Sequence, residues 1–194
     1  MMDKIPIYRF KVDENDDSQL EAVAMVDSPA IEMNWQAFSN QIKFAADNEK
    51  RIISGPLMVA ELPIYRRDAE HGEYYGIFTA EDIYNLRNKF FKNNKSKEVN
   101  LMHDSNQMVE GVYMVESFLI DSKRGINAPN GFNLSDGSWF GSYKVDNEEV
   151  WNEYIKSGEF KGFSVEGLFN IVKIDAKPLS VIEQIIEVVK QIED

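Results

Sequence analysis

The chain contains two histidines, His71 and His103, so the search for a general base is short. Histidine is the usual choice because its unperturbed pKa of about 6.5 lets it take and return a proton near neutral pH. His71 sits in Asp68-Ala69-Glu70-His71-Gly72-Glu73, a charged, glycine-containing stretch that reads as a solvated loop. His103 ends the run Val99-Asn100-Leu101-Met102-His103-Asp104, and strand alternation puts Val99, Leu101 and His103 on one face. An imidazole at the rim of a buried face is held rigidly and partly desolvated, which suits a base. The plainer alternative is a structural histidine whose ring nitrogens are satisfied locally.

The serine of interest is Ser164, in Lys161-Gly162-Phe163-Ser164-Val165-Glu166-Gly167. On a strand, Phe163, Val165 and Phe169 share one face, and Ser164, Glu166 and Leu168 share the other. Glycines at 162 and 167 remove side chains on both sides of the serine, which lets a substrate backbone approach. The spacing is not that of the Gly-x-Ser-x-Gly elbow, and a strand rather than a strand-to-helix turn is expected. A serine in such a strand is ordinarily structural, so neither residue is decisive alone. Metal chemistry has less support: two isolated histidines, no cysteine and no His-Glu-x-x-His spacing leave little to bind zinc. The acidic stretch at 13–17 lacks the full calcium-loop pattern, and phosphate-loop and dinucleotide fingerprints are absent, so no cofactor is expected.

These residues need elements to position them. Strands are expected over residues 5–12, 51–59, 99–103, 111–120, 139–145 and 160–174, and residues 22–26 form a short apolar run closed by Asp27-Ser28-Pro29, where Pro29 marks an edge or a turn. Residues 38–50 read as loop or short helix, and 65–72 as a surface loop. One helix starts at the capping box formed by Thr79 and Asp82 and buries Ile83, Leu86, Phe90 and Phe91. A second is capped by Asp146, buries Trp151, Tyr154 and Ile155, and stops at Gly158. Asn130-Gly131 and Asp136-Gly137 favour positive φ in the long connection before residue 139. Strands outnumber helices and most joins are short, so the fold class is α+β: a mainly antiparallel sheet or barrel with flanking helices. Residues 1–175 would form one domain. Residues 176–194 would add an amphipathic helix, with Leu179, Ile182, Ile185, Ile186, Val189 and Ile192 on one stripe. That helix either packs on the domain or docks on a partner or a second copy.

The totals narrow the function. A chain of 194 residues with 43% hydrophobic and 12% aromatic content is globular. Its net charge of −12 disfavours binding to nucleic acid, and no apolar run is long enough to span a membrane. The absence of cysteine removes disulfides and a thiol nucleophile, which fits a reducing cytosol, and the N-terminus shows no secretory signal.

Taken in order, several segments resemble the XkdF-type prohead serine proteases of tailed phages. They are Met25-Val26-Asp27-Ser28-Pro29-Ala30-Ile31, Ser54-Gly55-Pro56, Glu73-Tyr74-Tyr75, Lys89-Phe90-Phe91 and Asn100-Leu101-Met102-His103-Asp104. The series continues with Val115-Glu116-Ser117, Gly137-Ser138-Trp139, Lys144-Val145-Asp146, Ile155-Lys156-Ser157-Gly158 and 161–167. The resemblance implies a herpesvirus-assemblin-like β-barrel ringed by helices, with His103 as general base and Ser164 as nucleophile on different strands. It implies a capsid-maturation endopeptidase that works in the host cytoplasm inside the assembling procapsid. Capsid and scaffold proteins would be its substrates, it would cleave itself as well, and a homodimer is the corresponding expectation for its assembly. In better-known relatives a strand ending near a Pro-Ala follows the serine and carries an acid. Here the similar segment, 23–30, lies at the N-terminus, which suggests a circular permutation, and the acid position falls on Ala22. Asp27 is ranked first as the third catalytic member, with Glu116, Glu166 and Glu21 as alternatives and a Ser–His dyad also open.

Overall fold

The computed structural model describes residues 5–27 and 45–174. In chain order the strands begin with β1 (Ile7–Lys11), β2 (Gln19–Val26), β3 (Ala45–Asp47), β4 (Ile52–Met58), β5 (Ile64–Asp68) and β6 (Gly72–Ile77). Helix α1 (Ala80–Lys92) follows, then β7 (Val99–Leu101), β8 (Asp104–Met108), β9 (Val112–Leu119) and β10 (Trp139–Val145). A helical turn, α2 (Glu148–Val150), runs into a wider turn at Trp151–Ile155, and β11 (Gly162–Leu168) and β12 (Asn170–Lys173) complete the described chain.

The strands form three four-stranded sheets, ordered β12-β1-β6-β5, β3-β4-β10-β9 and β11-β2-β7-β8. The mainly β content and the antiparallel majority agree with the sequence. The division into three sheets, and the parallel pairs β1–β6 and β2–β7, do not follow from it. Residues 65–72 also depart from expectation, because β5 and β6 form a hairpin there. β5 is an edge strand, where charged side chains are tolerated and discourage unwanted pairing, so its polar composition imitates a loop.

Helix α1 starts as its sequence predicts. Thr79 Oγ1 accepts from Asp82 N, and Asp82 Oδ2 accepts from Thr79 N, closing a capping box. Ile83, Leu86 and Phe90 are buried, while Phe91 is partly exposed and packs edge-on against Trp139. The second helix is capped by Asn147 rather than Asp146: Asn147 Oδ1 accepts from Val150 N, whereas Asp146 is engaged by Tyr113 and Lys144. Gly131, Gly137 and Gly158 all take positive φ. Residues 38–44 and the expected helix at 176–194 lie outside the described residues.

The core joins the sheets. Trp139 and Tyr143 of β10, Phe90 of α1, Phe163 of β11 and Met25 of β2 are almost fully buried. Each such side chain contributes about 1.5–3 kcal/mol of transfer free energy. Tyr143 lies against Phe163, fixing β11 relative to the sheet that contains β10.

Candidate active site

β11 carries Ser164 and Glu166 on one face and Phe163 and Val165 on the other, as alternation requires. Phe163 belongs to the core and Val165 packs against it, which anchors the strand and turns the serine away. Next to it, β2 pairs Ala24 with Ser164 and Ala22 with Glu166. On its other side β2 runs parallel to β7, pairing Ala24 with Asn100. One row across three strands is therefore Ser164, Ala24, Asn100. The two alanines leave room above β2 for longer side chains from either side.

A bulge sets this arrangement. Glu166 faces Ala22 but Gly167 faces Leu20, so Glu21 is the extra residue on β2. The extra residue flips the alternation. Leu20, Val23 and Met25 all enter the core cluster, while Ala22 and Ala24 share the face of Ser164. A Cβ at Gly167 would come within 2.1 Å of Gln19 O. Gly167 therefore serves the close approach of β2, not the approach of a substrate as its position beside the serine suggested.

His103 does not continue β7. That strand ends at Leu101, and Met102 and His103 form a two-residue turn with φ of 53° and 60°. Leu101 pairs with Asp104 across it. Two consecutive left-handed residues define the tight hairpin turn that normally carries Asn-Gly, and non-glycine residues there store about 1–3 kcal/mol each. The turn removes His103 from the face of Val99 and Leu101, correcting the strand-based placement, and swings it over the opposite face. There His103 Nδ1 lies 2.6 Å from Glu166 Oε1, and Asn100 Nδ2 donates to Glu166 Oε2 at 3.0 Å. A carboxylate only accepts, so the proton in the first bond belongs to Nδ1. The lone pair of the neutral ring is then on Nε2.

The structure thus brings Ser164, Glu166, Asn100 and His103 to one face, with β2 between the strands of the serine and the histidine. The two strands are not neighbours. The link between them is Glu166, two residues from Ser164. Asn100 is fully buried, and its Oδ1 has no partner among the described residues. Ser164 is 6% exposed, lines a groove, and its hydroxyl makes no hydrogen bond among the described residues. The His103 side chain is 42% exposed and makes no hydrogen bond to Ser164.

The other candidate acids sit elsewhere. Asp27 follows the end of β2 and makes no hydrogen bond or ion pair among the described residues. Glu21 is the exposed bulge residue at the groove. Glu116 lies on β9 in another sheet and accepts from Ser142, whose hydroxyl also meets Ser54 Oγ. His71 is not simply solvated: its Nδ1 meets Asp68, and its ring packs against Tyr8 and Tyr74. Asn100 was missed by sequence reasoning. Its signal was an amide inside a short apolar run, on the face opposite Val99 and Leu101.

The groove beside β11 has a volume of about 570 Å³. Residues of both faces of β11, from Phe163 to Leu168, border it, with Leu57 and Met58 from β4. β11 ends the hydrogen-bonded order β11-β2-β7-β8, and β4 packs along its other side.

A serine on the same sheet face as a histidine–carboxylate pair supplies the group types that acyl transfer through a hydroxyl uses. The family comparison is more specific. Residues 41–173 match the model described as "Putative phage serine protease XkdF", and the chain belongs to that family. His103, Ser164, Glu166 and Asn100 all fall within the matched stretch, whereas Glu21 and Asp27 precede it. No curated protein and no solved structure matches.

Proposed function

We propose that the chain is a serine endopeptidase of phage capsid maturation, with Ser164 as nucleophile, His103 as general base and Glu166 as the group that orients the base. The observation that carries this reading is the bond from His103 Nδ1 to Glu166 on the same strand face as Ser164. It leaves Nε2 as the basic atom, the polarity that a serine–histidine–carboxylate relay needs. Glu166 is the direct cross-strand neighbour of Ala22, where the family pattern expects the acid. The carboxylate therefore comes from the adjoining strand, which fits a permuted, assemblin-like arrangement.

In this reaction a substrate segment lies in the groove beside β11. His103 Nε2 takes the proton of Ser164 as the oxygen attacks the scissile carbonyl. Glu166 stabilises the imidazolium, Asn100 holds Glu166 from the other side, and the proton passes to the leaving amine. Water then repeats the sequence to release the acyl group. Unliganded catalytic hydrogen bonds are often open and close on substrate, so the missing His103–Ser164 bond is compatible with this course. The substrates are scaffold and capsid proteins in the procapsid within the host cytoplasm, and the protein itself. Residues 176–194 serve as a docking element or as a segment removed by self-cleavage.

Co-expression with the capsid and scaffold proteins of the same phage tests the proposal. Processing is expected with the wild-type chain and absent with Ser164→Ala or His103→Ala. Unchanged processing by Ser164→Ala would refute the nucleophile.

A second reading is a capsid-assembly protein that keeps the protease fold without activity. The exposed imidazole and the absence of a bond to Ser164 favour it. It predicts no labelling of Ser164 by a fluorophosphonate reagent while binding to capsid protein persists.

A further inference from the structure

Among the described residues, the groove beside Ser164 contains one cation that the proposed chemistry does not use. On β5, Ile64 and Arg66 share the face that looks into the groove, and Arg66 stands opposite Tyr74 of β6. Around them the lining is apolar, with Phe10, Phe78, Phe169 and Ile171. The neighbouring Arg67 points to the other side of the strand, where it pairs in register with Glu73.

Arg66 is half-buried, and its only hydrogen bond among the described residues runs from Nη1 to Tyr65 O at 3.0 Å. It makes no ion pair there. Burial pushes its guanidinium below the usual arginine range. Two other arginines on inward-facing elements are treated differently. Arg9 forms a two-point pair with Asp82, and Arg87 donates to Ser117 Oγ and O. Charges removed from water are normally paired, because an unpaired one forfeits its hydration for nothing. Glu21 and Glu166 are the carboxylates that line the groove, and neither is within ion-pair distance of Arg66; Glu166 is already held by His103 and Asn100.

We infer that Arg66 is a specificity-determining residue: the groove takes an extended peptide and selects one with an acidic side chain, whose carboxylate docks on the guanidinium. This rests on the protease reading for its consequence, cleavage, but not for the binding itself. The planar guanidinium fork suits a carboxylate, and the apolar walls strengthen the pair by excluding water. The remaining lining accepts aliphatic or aromatic neighbours of the acid. With a net charge of −12 the protein does not attract acidic peptides at long range, so the preference is local to the groove.

The experiment uses the full chain and a decapeptide library in which each position carries Glu or its uncharged isostere Gln. Cleavage is measured with the wild-type protein, and binding by calorimetry with Ser164→Ala. One position is expected to show a Glu preference of about 10- to 100-fold in kcat/KM and in Kd. Arg66→Gln should abolish that preference, bringing kcat/KM and Kd for the Glu peptides level with those for the Gln peptides, and Arg66→Glu should reverse it in favour of Gln. The Glu-for-Gln exchange on the wild-type chain keeps the test valid even if an Arg66 variant fails to fold. Cleavage and binding without any Glu preference would overturn the inference and leave the protease reading intact. Glu-selective binding without cleavage would uphold the role of Arg66 and overturn the protease reading. No binding of any peptide overturns the inference.

Discussion

Two carboxylates, the buried Asp82 and the partly exposed Glu166, sit at the centres of polar clusters built on opposite logic. Asp82 receives five bonds: two from Arg9, one from Val12 N, and one each from the Thr79 amide and hydroxyl. Burial alone would raise its pKa, but these donors outweigh it and hold the carboxyl below its ordinary range. Glu166 receives two bonds, and around it Asn100 Oδ1 and the Ser164 hydroxyl have no partner among the described residues. The first cluster has spent its bonding capacity on the fold, tying β1 to the start of α1. The second holds capacity in reserve, as a site that must bind and release a ligand does.

Substitutions can separate these roles, and the largest effect is expected at Ser164. Ser164→Ala should lower proteolytic turnover by about 10⁴- to 10⁶-fold. Its hydroxyl makes no bond among the described residues, so the thermal midpoint should stay close to that of the wild type. A midpoint that falls sharply would place the serine with the structural cluster instead. Next comes Glu166→Gln. The amide offers either an oxygen or an N–H to His103 Nδ1, and the N–H would force the wrong tautomer. Turnover should fall by about 10³- to 10⁴-fold with little change in KM. A larger change in KM than in kcat would indicate that Glu166 binds substrate rather than orienting the histidine.

Asp82→Asn inverts the pattern. Removing the charge leaves Arg9 short of its partner and spoils the cap of α1, costing about 3–5 kcal/mol of stability. The remaining folded protein should turn over normally. The pH dependence has a definite sign. Because the folded pKa of Asp82 lies below an unfolded value of about 3.9, its contribution is present above about pH 4 and is lost as pH falls through the folded value. Urea midpoints measured down the acid range should therefore fall steeply for the wild type and less for Asp82→Asn. Parallel curves would remove Asp82 from the account of acid stability.

The same contrast explains what could be read from the sequence. The Asp82 cluster announces itself, because a threonine followed three residues later by an acid ahead of an apolar stripe is a local signature. The two faces of β11 were equally legible, since Phe163 and Val165 alternate with Ser164 and Glu166. The partnership of Glu166 with His103 was not, for two physical reasons. One is the turn at Met102 and His103, which lacks the Asn or Gly that would mark it and which reverses the face of the histidine. The other is the bulge at Glu21, which sets the alternation of β2 and cannot be seen without its partner strand. β5 hid for a third reason, the charged composition of an edge strand.

The strained turn offers the smallest and most discriminating test. Met102 is exposed and left-handed, a conformation that costs an L-residue about 1–2 kcal/mol and that asparagine tolerates better. Met102→Asn should therefore raise stability by about 0.5–1 kcal/mol, read as a higher urea midpoint with an unchanged slope. No comparable gain is available around Asp82, where the backbone at Thr79 is ordinary extended chain. Because the substitution keeps the turn, His103 should still meet Glu166, and turnover should hold within about twofold. A stabilised variant with greatly reduced turnover would mean that the turn must open for His103 to reach Ser164, making the strain part of the catalytic motion and not only the cost of placing the base.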